Sequence, residues 1–345
     1  MAAPNILCDC TGMSEKRWLE CREHGPKGDI EYTVGGSDVA VIFGLSPWTT
    51  PLELWMVKKG RMKPKAPPNP KQLLMGHMLE PIAAHFYGLQ TGNTVIDDNH
   101  LYQHANLEYA LANIDRRYMR KEDGESGVLE CKSLTYHKAA DWADGAIPIY
   151  YELQLRYYLA VMDQRHGAFS ALWGNNPEHD LATPHIERDQ AREDIIFEKL
   201  DRWIWSLRHD KPPTMEDVKP NLAMAALARI YGASKKGLPT IEFPMKFEPK
   251  LRKIAAVQKE NTELKGMIKK NEEAIEAHSV RIAELMKNHE HGILTTTTDK
   301  LLVDFATEVT KRVNSDYLKK EYPSVYTEAL RSSKSRKIKV TIQPV

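Results

Sequence analysis

Two neighbouring strand-like segments carry residues that could hold a metal ion and activate a water molecule. The first segment, LANID, ends in Asp115, and the second, GVLECK, contains Glu130 and ends in Lys132. Because side chains alternate along a strand, Glu130 and Lys132 point to one face and Cys131 points to the other. If the two segments pair as a hairpin, Asp115 lies beside Glu130.

Such a pair of acids would have a specific chemistry. Two adjacent carboxylates raise each other's pKa, and a hard divalent cation with oxygen ligands, Mg²⁺ or Mn²⁺, removes that cost. The Cys131 carbonyl could supply a further oxygen, and the Lys132 ammonium could orient a water for attack on phosphorus. On these residues alone, an exposed hairpin with a Glu–Lys pair explains the pattern better, because the motif is short.

The formal charge of the chain is balanced, with 48 Lys and Arg against 47 Asp and Glu in 345 residues. A nucleic-acid partner would therefore have to bind local basic patches. No apolar stretch is long enough to cross a bilayer, and the N-terminal sequence lacks the basic and apolar regions of a secretory signal. We expect a cytoplasmic protein with reduced thiols and no membrane partner.

The N-terminal cysteines leave a second metal site open. Cys8, Cys10 and Cys21 lie near His24 in the sequence, and this set could ligate zinc, although the spacing is not a common one. Free reduced thiols are the favoured reading. Cys131 is too far along the chain to complete an iron–sulfur cluster with the other three.

The elements that would position the acidic residues alternate between helices and strands, as in an α/β protein. Ser14 is expected to cap the first helix, Ser37 to cap a short helix after the turn at Gly35 and Gly36, and Pro148 to open a later helix. Pro81 is expected to kink a helix or start a new turn. Helices are expected at 14–24, 51–59, 71–90, 148–162 and 187–209, and strands near 93–97, 107–115, 127–134 and 167–174.

The last third of the chain has a different pattern. Residues 248–288 repeat apolar positions every three or four residues, which predicts either an inter-subunit coiled coil or a long helix packed on its own domain. Two short strands and a basic end, RSSKSRKIKVTIQPV, follow. We expect three parts: a core at 1–220, a connecting segment at 221–247 and the helical extension at 248–345.

Five motifs, in this order, carry a resemblance to a known family: GGSDVAVIFGLSPWTTPLELW, MGHMLEPIAAHFYGLQTG, LANIDRRY, GVLECKS and IPIYYELQLRYYLAVM. Together they resemble the YqaJ-type viral recombinases, relatives of phage lambda exonuclease in the PD-(D/E)xK nuclease superfamily. The resemblance covers about residues 14–215. It implies a restriction-endonuclease-like core with a central mixed sheet flanked by helices, followed here by a long helix and a small β extension.

The resemblance also implies roles for individual residues. Asp115 and Glu130 match the metal-binding acids, and Lys132 matches the lysine that positions the water. Glu80 matches a helical glutamate that completes the acidic site. Gln154 and Tyr158 match a Q-x-x-x-Y helix that reaches one substrate strand from a single helix face.

A phosphate-binding turn is implied at Gly36 and Ser37, ahead of a short helix. Relatives carry an arginine a few residues before that serine, after a tryptophan. Here Arg22 follows Trp18 but lies 15 positions before Ser37, which puts its contact with a terminal phosphate in doubt. Lys27, within the intervening segment, could replace it.

The function implied is a Mg²⁺-dependent exonuclease with two ions in each site, acting 5′→3′ on linear double-stranded DNA in a bacterial or phage-infected cell. The 3′ single strands would pass to a phage-type annealing protein, and the enzyme would form a homo-oligomeric ring. Arg116, Arg117, Arg120 and Lys121 would line a DNA channel or form a solvated turn. The alternatives are a structure-specific or nicking endonuclease and a catalytically inactive DNA-binding scaffold.

Overall fold

A computed structural model describes residues 3–65, 69–176, 178–310 and 313–330, which form two compact units. The first unit ends at Gly232 and the second begins at Ala233. The helix of residues 220–231 thus falls within the first unit, whereas the sequence placed the end of the core at residue 220.

The first unit consists of these elements. Its helices are α1 (Glu15–His24), α2 (Gly36–Ile42), α3 (Pro51–Lys58), α4 (Pro70–Thr91), α5 (Ile149–Met162), α6 (Gln190–Arg208) and α7 (Pro220–Tyr231). Its strands are β1 (Asn5–Asp9), β2 (Thr94–Asp97), β3 (His100–Gln103), β4 (Leu111–Ala112), β5 (Arg116–Met119), β6 (Ser126–Ser133), β7 (His166–Leu172), β8 (Leu181–Ala182) and β9 (His185–Glu187).

A mixed sheet in the order β2-β5-β6-β7-β8, with β9 also on β7, lies at the centre of this unit. Strands β6 and β7 are parallel, and the other pairs are antiparallel. The central strand β7 is buried along its whole length, and β6 is buried from Gly127 to Cys131. Such continuous burial requires a cover on both faces of the sheet.

Helices provide that cover. On one face, Ala83, Ala84 and Tyr87 of α4 pack with Leu129 and Cys131 of β6. On the other face, α2, α5 and α6 form a larger core with the remaining side chains of β6 and β7. The predicted α/β class with a central mixed sheet between helices is therefore confirmed.

Several helix signals in the sequence are confirmed. Ser14 Oγ accepts a hydrogen bond from the Arg17 amide, as an N-cap does. Helix α3, predicted at 51–59, begins with a capping box that was not predicted, in which Thr50 and Glu53 accept hydrogen bonds from each other's backbone amides. Pro148 stands at the start of α5.

Other expectations were wrong in detail. Ser37 does not cap α2: Gly35 is the N-cap and Ser37 lies in the first helical turn. The run expected as a strand at 107–115 contains only the two-residue β4, because the chain then turns into β5, which the sequence did not predict. The apolar spacing of residues 187–209 places Ile195 on the inward face with Ile196, Leu200, Trp203 and Leu207, but Ile195 is 59% exposed on α6. Helix α4 runs through Pro81 without interruption, and the predicted kink at this residue stays a prediction.

A smaller sheet, β1-β3-β4, and α1 lie beside the main sheet in this unit. Cys21 of α1 is buried with Leu101 and Leu111, and Cys8 and Cys10 pack against this cluster. All four cysteines of the chain are free thiols.

The second unit contains α8 (Glu248–Met286), the hairpin of β10 (His291–Thr295) and β11 (Lys300–Asp304), and the short helices α9 (Ser315–Glu321) and α10 (Pro323–Ala329). The predicted long helix and two strands are thus present. Apolar side chains at the predicted heptad positions are exposed, for example Leu264, Ile268 and Ile275. The basic end, 331–345, lies outside the described residues. Within the described ranges, no helix is long and apolar enough to span a membrane.

Candidate active site

The hairpin of β5 and β6 brings Asp115 next to Glu130. Arg116 pairs with Leu129 in this antiparallel ladder, so the preceding residue, Asp115, faces the position of Glu130. The Cys131 amide donates a hydrogen bond of 2.8 Å to Asp115 Oδ2. Asp115 lies just before β5, although it was predicted to end a strand. The predicted proximity of Asp115 and Glu130 is present.

Lys132 and Glu130 share one face of β6, and α5 covers that face. The Lys132 Nζ–Glu130 Oε1 distance is 2.5 Å, and Gln154 Nε2 donates to the same carboxylate oxygen at 2.6 Å. Gln154 lies one helical turn before Tyr158, and its Nε2 is 3.3 Å from the Tyr158 hydroxyl. The Q-x-x-x-Y pair therefore contacts the Glu–Lys pair directly.

The other oxygen of Glu130 has no such partner. Glu130 is 2% exposed, and its Oε2 atom is buried without a hydrogen bond from any of the described residues. A buried carboxylate oxygen normally has a partner, because leaving it unpaired costs about 1–3 kcal/mol. The unpartnered atom is therefore a candidate ligand position.

Glu80 approaches the same site from α4, on the opposite side of the hairpin. Its Oε1 accepts a hydrogen bond of 2.8 Å from Arg116 Nη1, and Arg116 Nε also pairs with Asp97 at 2.8 Å. The ion pair between Arg116 and Glu80 was not predicted from the sequence. The only sequence signal is the arginine that directly follows Asp115 in IDRR.

The electrostatics of the site follow from this crowding. Burial, together with the neighbouring Asp115 charge, raises the pKa of Glu130 to about 8. Burial also raises the pKa of Asp115 and of Glu80, although Lys132 and Arg116 oppose these increases. For Lys132, burial opposes the charge, but Glu130 and Asp115 outweigh it and raise its pKa. The ionised forms of the three acids are thus destabilised by their surroundings, whereas the charged form of Lys132 is stabilised.

The residues present fit a hard divalent cation. Asp115, Glu130 and the Cys131 carbonyl offer only oxygen atoms, and Glu130 Oε2 is an oxygen without a partner. Across the described part of the chain, no three His, Cys, Asp or Glu side chains are grouped closely enough to hold a metal ion by themselves. An ion here would therefore complete its shell with backbone, water or substrate oxygens, as Mg²⁺ usually does.

The same finding bears on the thiols near the N-terminus. Cys8, Cys10 and Cys21 do pack together, but they do not form a metal-binding group with His24 within the described residues. The His24 ring nitrogen Nδ1 lies 3.3 Å from the Ile30 carbonyl. The zinc alternative gains no support from the structure.

Arg22 reaches the glycine turn despite its distance in sequence. The Arg22 guanidinium lies 4.5 Å from the Trp18 ring centroid, and its Nη2 atom is 3.3 Å from where a Cβ on Gly35 would be. Thr33 donates a hydrogen bond of 2.7 Å to the Arg22 carbonyl, so the intervening segment folds back on α1. Lys27 is not among the described residues that line the cleft at this turn.

A cleft of about 730 Å³ connects these groups. Gly36 itself is buried against Tyr158, since a Cβ there would lie 2.5 Å from the Tyr158 ring. The cleft brings together all the predicted side chains of the site. Its walls include Arg22, Ser37, Glu80, Asp115, Glu130, Lys132, Gln154 and Tyr158.

Besides Arg116, two more of the four basic residues that were expected to line a DNA channel or form a solvated turn are paired with carboxylates of the chain. Arg117 pairs with the buried Asp98 at 2.6 Å, and Arg120 pairs with Asp123 and Glu125 in the turn of the hairpin. These arginines therefore hold β5 in place.

The sequence of this chain matches a known family of recombinases. Residues 17–165 match the model of the YqaJ-like viral recombinase domain, and these residues include the whole of the site just described. The predicted resemblance to the YqaJ-type viral recombinases is thus confirmed over this range.

Individual proteins resemble the chain over longer stretches. The uncharacterized protein YqaJ of Bacillus subtilis (strain 168) is 26% identical over 335 residues, covering 96% of both chains. An alkaline exonuclease from Laribacter hongkongensis is 19% identical, with a TM-score of 0.46, covering 57% of this chain and 94% of its own. A phage-related exonuclease from Haemophilus somnus 129PT is 15% identical, with a TM-score of 0.38, covering 51% of this chain and 93% of its own.

Proposed function

We propose that this chain is a metal-dependent deoxyribonuclease that removes nucleotides from an end of linear double-stranded DNA. One observation carries the proposal: a half-buried Asp115 beside a buried Glu130 that has an unpartnered oxygen, with the Lys132 ammonium next to them, in one cleft. Surface ion pairs do not need such burial. Acids that are strained as anions by burial and by each other are typical of functional sites.

The chain's own residues would divide the work as follows. Asp115, Glu130 and the Cys131 carbonyl would hold one Mg²⁺ or Mn²⁺, and Glu80 is the acid nearest to them for a second. When bound, such ions supply Lewis-acid stabilisation of the phosphate and of the leaving oxygen. Lys132, held by Glu130 and by Gln154 Oε1 at 3.4 Å, would orient the attacking water and stabilise negative charge on it.

The direction of digestion would be 5′→3′. Arg22 brings a guanidinium to the glycine turn before α2, and the Gly36 and Ser37 amides there would add donors for an anion, whereas the Gly35 amide donates to Asp38 Oδ2 at 3.2 Å. A phosphate at the end of the strand would bind there, one nucleotide away from Lys132. The product would be a 3′ single strand, suited to a phage-type annealing protein.

A homo-oligomeric ring around the DNA would make digestion processive. Phosphate contacts alone would make binding sequence-independent and sensitive to salt. The helix α8 offers exposed apolar positions for contacts between copies of the chain, such as Leu264 and Ile268.

End-labelled DNA tests the proposal. Linear duplexes labelled at the 5′ or the 3′ end, with and without a 5′-phosphate, are incubated with Mg²⁺. We expect release of 5′-labelled mononucleotides, stimulation by the 5′-phosphate, and loss of all products in EDTA. Arg22→Ala should remove the stimulation by phosphate, whereas Lys27→Ala, in the exposed neighbouring segment, should keep it.

A covalently closed circular duplex separates the alternatives. An exonuclease leaves the circle intact, and nicking would establish the endonuclease instead. A wild-type protein that degrades no DNA with either Mg²⁺ or Mn²⁺, yet still binds it, would support the inactive scaffold and refute the proposal.

A further inference from the structure

A second cleft opens beside Lys132, outside the group of acids. It has a volume of about 490 Å³ and shares Ser37, Trp48, Lys132 and Gln154 with the active-site cleft. The two clefts therefore meet along the line that runs from the phosphate turn to the lysine. The roles proposed above for the site residues do not involve this second cleft.

The wall of the second cleft is aromatic. The Trp48 side chain is 53% exposed and meets Tyr150 edge to face, at 5.2 Å between ring centroids and 81° between planes. Tyr150 and Tyr151 are 4.4 Å apart, and the Lys132 ammonium lies 4.9 Å from the centroid of the Tyr151 ring. Trp48 lines this cleft and keeps about half of its surface exposed to solvent despite its contacts with Tyr150 and Tyr151.

The loop that carries Trp48 is held in a fixed shape. The backbone amides of Trp48 and Thr49 donate to Ser46 Oγ at 3.2 and 3.4 Å, and Ser46 is buried. The loop then enters α3 through the capping box at Thr50. An exposed tryptophan on a rigid loop is suited to binding a flat ligand, because little side-chain freedom is lost on contact.

We propose that this cleft is a nucleobase subsite, in which Trp48 stacks on the base of the terminal nucleotide of the digested strand. The proposal rests on the proposed function. A nucleotide with its 5′-phosphate at the α2 turn and its 3′-phosphate at Lys132 would have its sugar between Ser37 and Lys132 and its base projecting to one side of that line. The aromatic cleft borders both residues.

The charges around the cleft are suited to binding an uncharged nucleobase without preference for its identity. Asp38 pairs with Lys58 at 3.2 Å, and the buried Glu53 pairs with Arg229 at 3.0 Å. The two carboxylates are therefore already neutralised. Stacking on an aromatic ring tolerates any base, since every base has a flat π surface. The subsite should thus fix the position of the terminal nucleotide without reading its identity.

Binding to matched DNA ends tests this subsite. Short duplexes with a 5′-phosphate, either intact or lacking the base of the 5′-terminal nucleotide, are titrated with protein in EDTA, where no cleavage occurs. The full-length chain is compared with Trp48→Ala, with Trp48→Phe, which keeps a flat ring, and with Trp205→Ala. Trp205 is also 53% exposed but lies on α6, so it controls for the loss of a surface tryptophan.

Loss of one stacked base should weaken binding by a factor of about 5 to 150. We expect the wild type, Trp48→Phe and Trp205→Ala to lose affinity by such a factor when the base is removed. Trp48→Ala should bind the intact end as weakly as the wild type binds the baseless end, and should not distinguish the two. A 2-aminopurine at the terminal position should be quenched by the wild type but not by Trp48→Ala.

The outcome that overturns the subsite is an equal loss for Trp48→Ala on both ends, or no loss on either. Such a result, with digestion of labelled DNA intact in the wild type, would refute the base contact and leave the nuclease proposal standing. A wild-type protein that neither binds nor digests duplex ends would refute the proposed function as well. Thermal unfolding of each variant shows whether a loss of binding reflects a loss of folding.

Discussion

Asp115→Asn should separate the chemical role of this carboxylate from any structural role. The variant keeps the shape of the side chain, and its amide oxygen can still accept the hydrogen bond that the Cys131 amide donates at 2.8 Å. It removes one negative charge from beside Glu130. If Asp115 serves to bind a cation, the protein should lose activity without losing stability.

The expected gain in stability follows from the direction of the pKa shift. The pKa of Asp115 is raised in the folded protein, because burial outweighs the attraction of Lys132, the Cys131 amide and Arg116. A raised pKa means that the ionised form is less stable in the folded chain than in the unfolded chain. A neutral side chain should therefore stabilise the metal-free protein at a pH where the wild-type carboxylate is ionised.

Thermal unfolding and digestion measure the two effects in the same preparation. In EDTA at neutral pH, the midpoint should rise by about 2–4 °C for each kcal/mol in a unit of this size. Mg²⁺ should raise the midpoint of the wild type, because a ligand of the folded state stabilises it, and should not raise that of the variant. Digestion of linear DNA should fall by at least about 10³-fold, which corresponds to about 4 kcal/mol of lost charge stabilisation.

The control is Asp194→Asn, an exposed carboxylate on α6 that pairs with Gln190. It should change neither the midpoint nor the rate. The reasoning would be refuted if Asp115→Asn unfolded at a clearly lower temperature in EDTA while Mg²⁺ still stabilised it. Asp115 would then be a structural acid, and the metal would bind elsewhere.

Two further predictions concern the frame around the site. Gly36→Ala should destabilise the protein by about 1–3 kcal/mol and slow digestion, because its Cβ would lie 2.5 Å from the Tyr158 ring; thermal unfolding and end-label assays measure both. Gly76→Ala, in open space on α4 as far as the described residues show, should instead stabilise it by up to about 1 kcal/mol. Burial opposes the Asp98 charge, but hydrogen bonds from Tyr102 and Arg117 outweigh it and lower the pKa of Asp98 below 3.8. Asp98→Asn should therefore remove stability that the wild type has above about pH 4 and loses in acid. The unfolding midpoints of the variant and the wild type, measured against pH, should converge as the pH falls.

The helices could be predicted because their signals are local. Ser14 and Pro148 mark helix starts by their own chemistry, and the apolar stripe of α6 is visible in its spacing. The prediction for Ile195 was wrong because the spacing of apolar residues locates the buried face of a helix but not the limits of that face. The side chain lies at the margin of the buried face, where only the packing of α6 decides exposure.

The strands next to the site could not be placed as well, because their partners are distant in sequence. Arg116 and Arg117 were expected to line a DNA channel or to form a solvated turn. In the structure they form β5, since Glu80 and Asp98 neutralise them from α4 and from the loop before β3. No local pattern announces such a partner. The position of Arg22 was doubtful for the same reason, as it depends on how residues 23–34 fold back on α1.

Three acids in the same cleft show how structure and function can be told apart. Asp98 has three hydrogen-bonded partners that lower its pKa, so its charge stabilises the fold. Asp115 and Glu130 have raised pKa values, and Glu130 Oε2 has no partner among the described residues, so their charges oppose folding. A sequence read by residue type treats the three alike. The direction of each pKa shift separates them. The charge of Asp98 stabilises the folded protein, whereas the charges of Asp115 and Glu130 destabilise it. A bound cation would therefore stabilise the folded protein through Asp115 and Glu130 and not through Asp98.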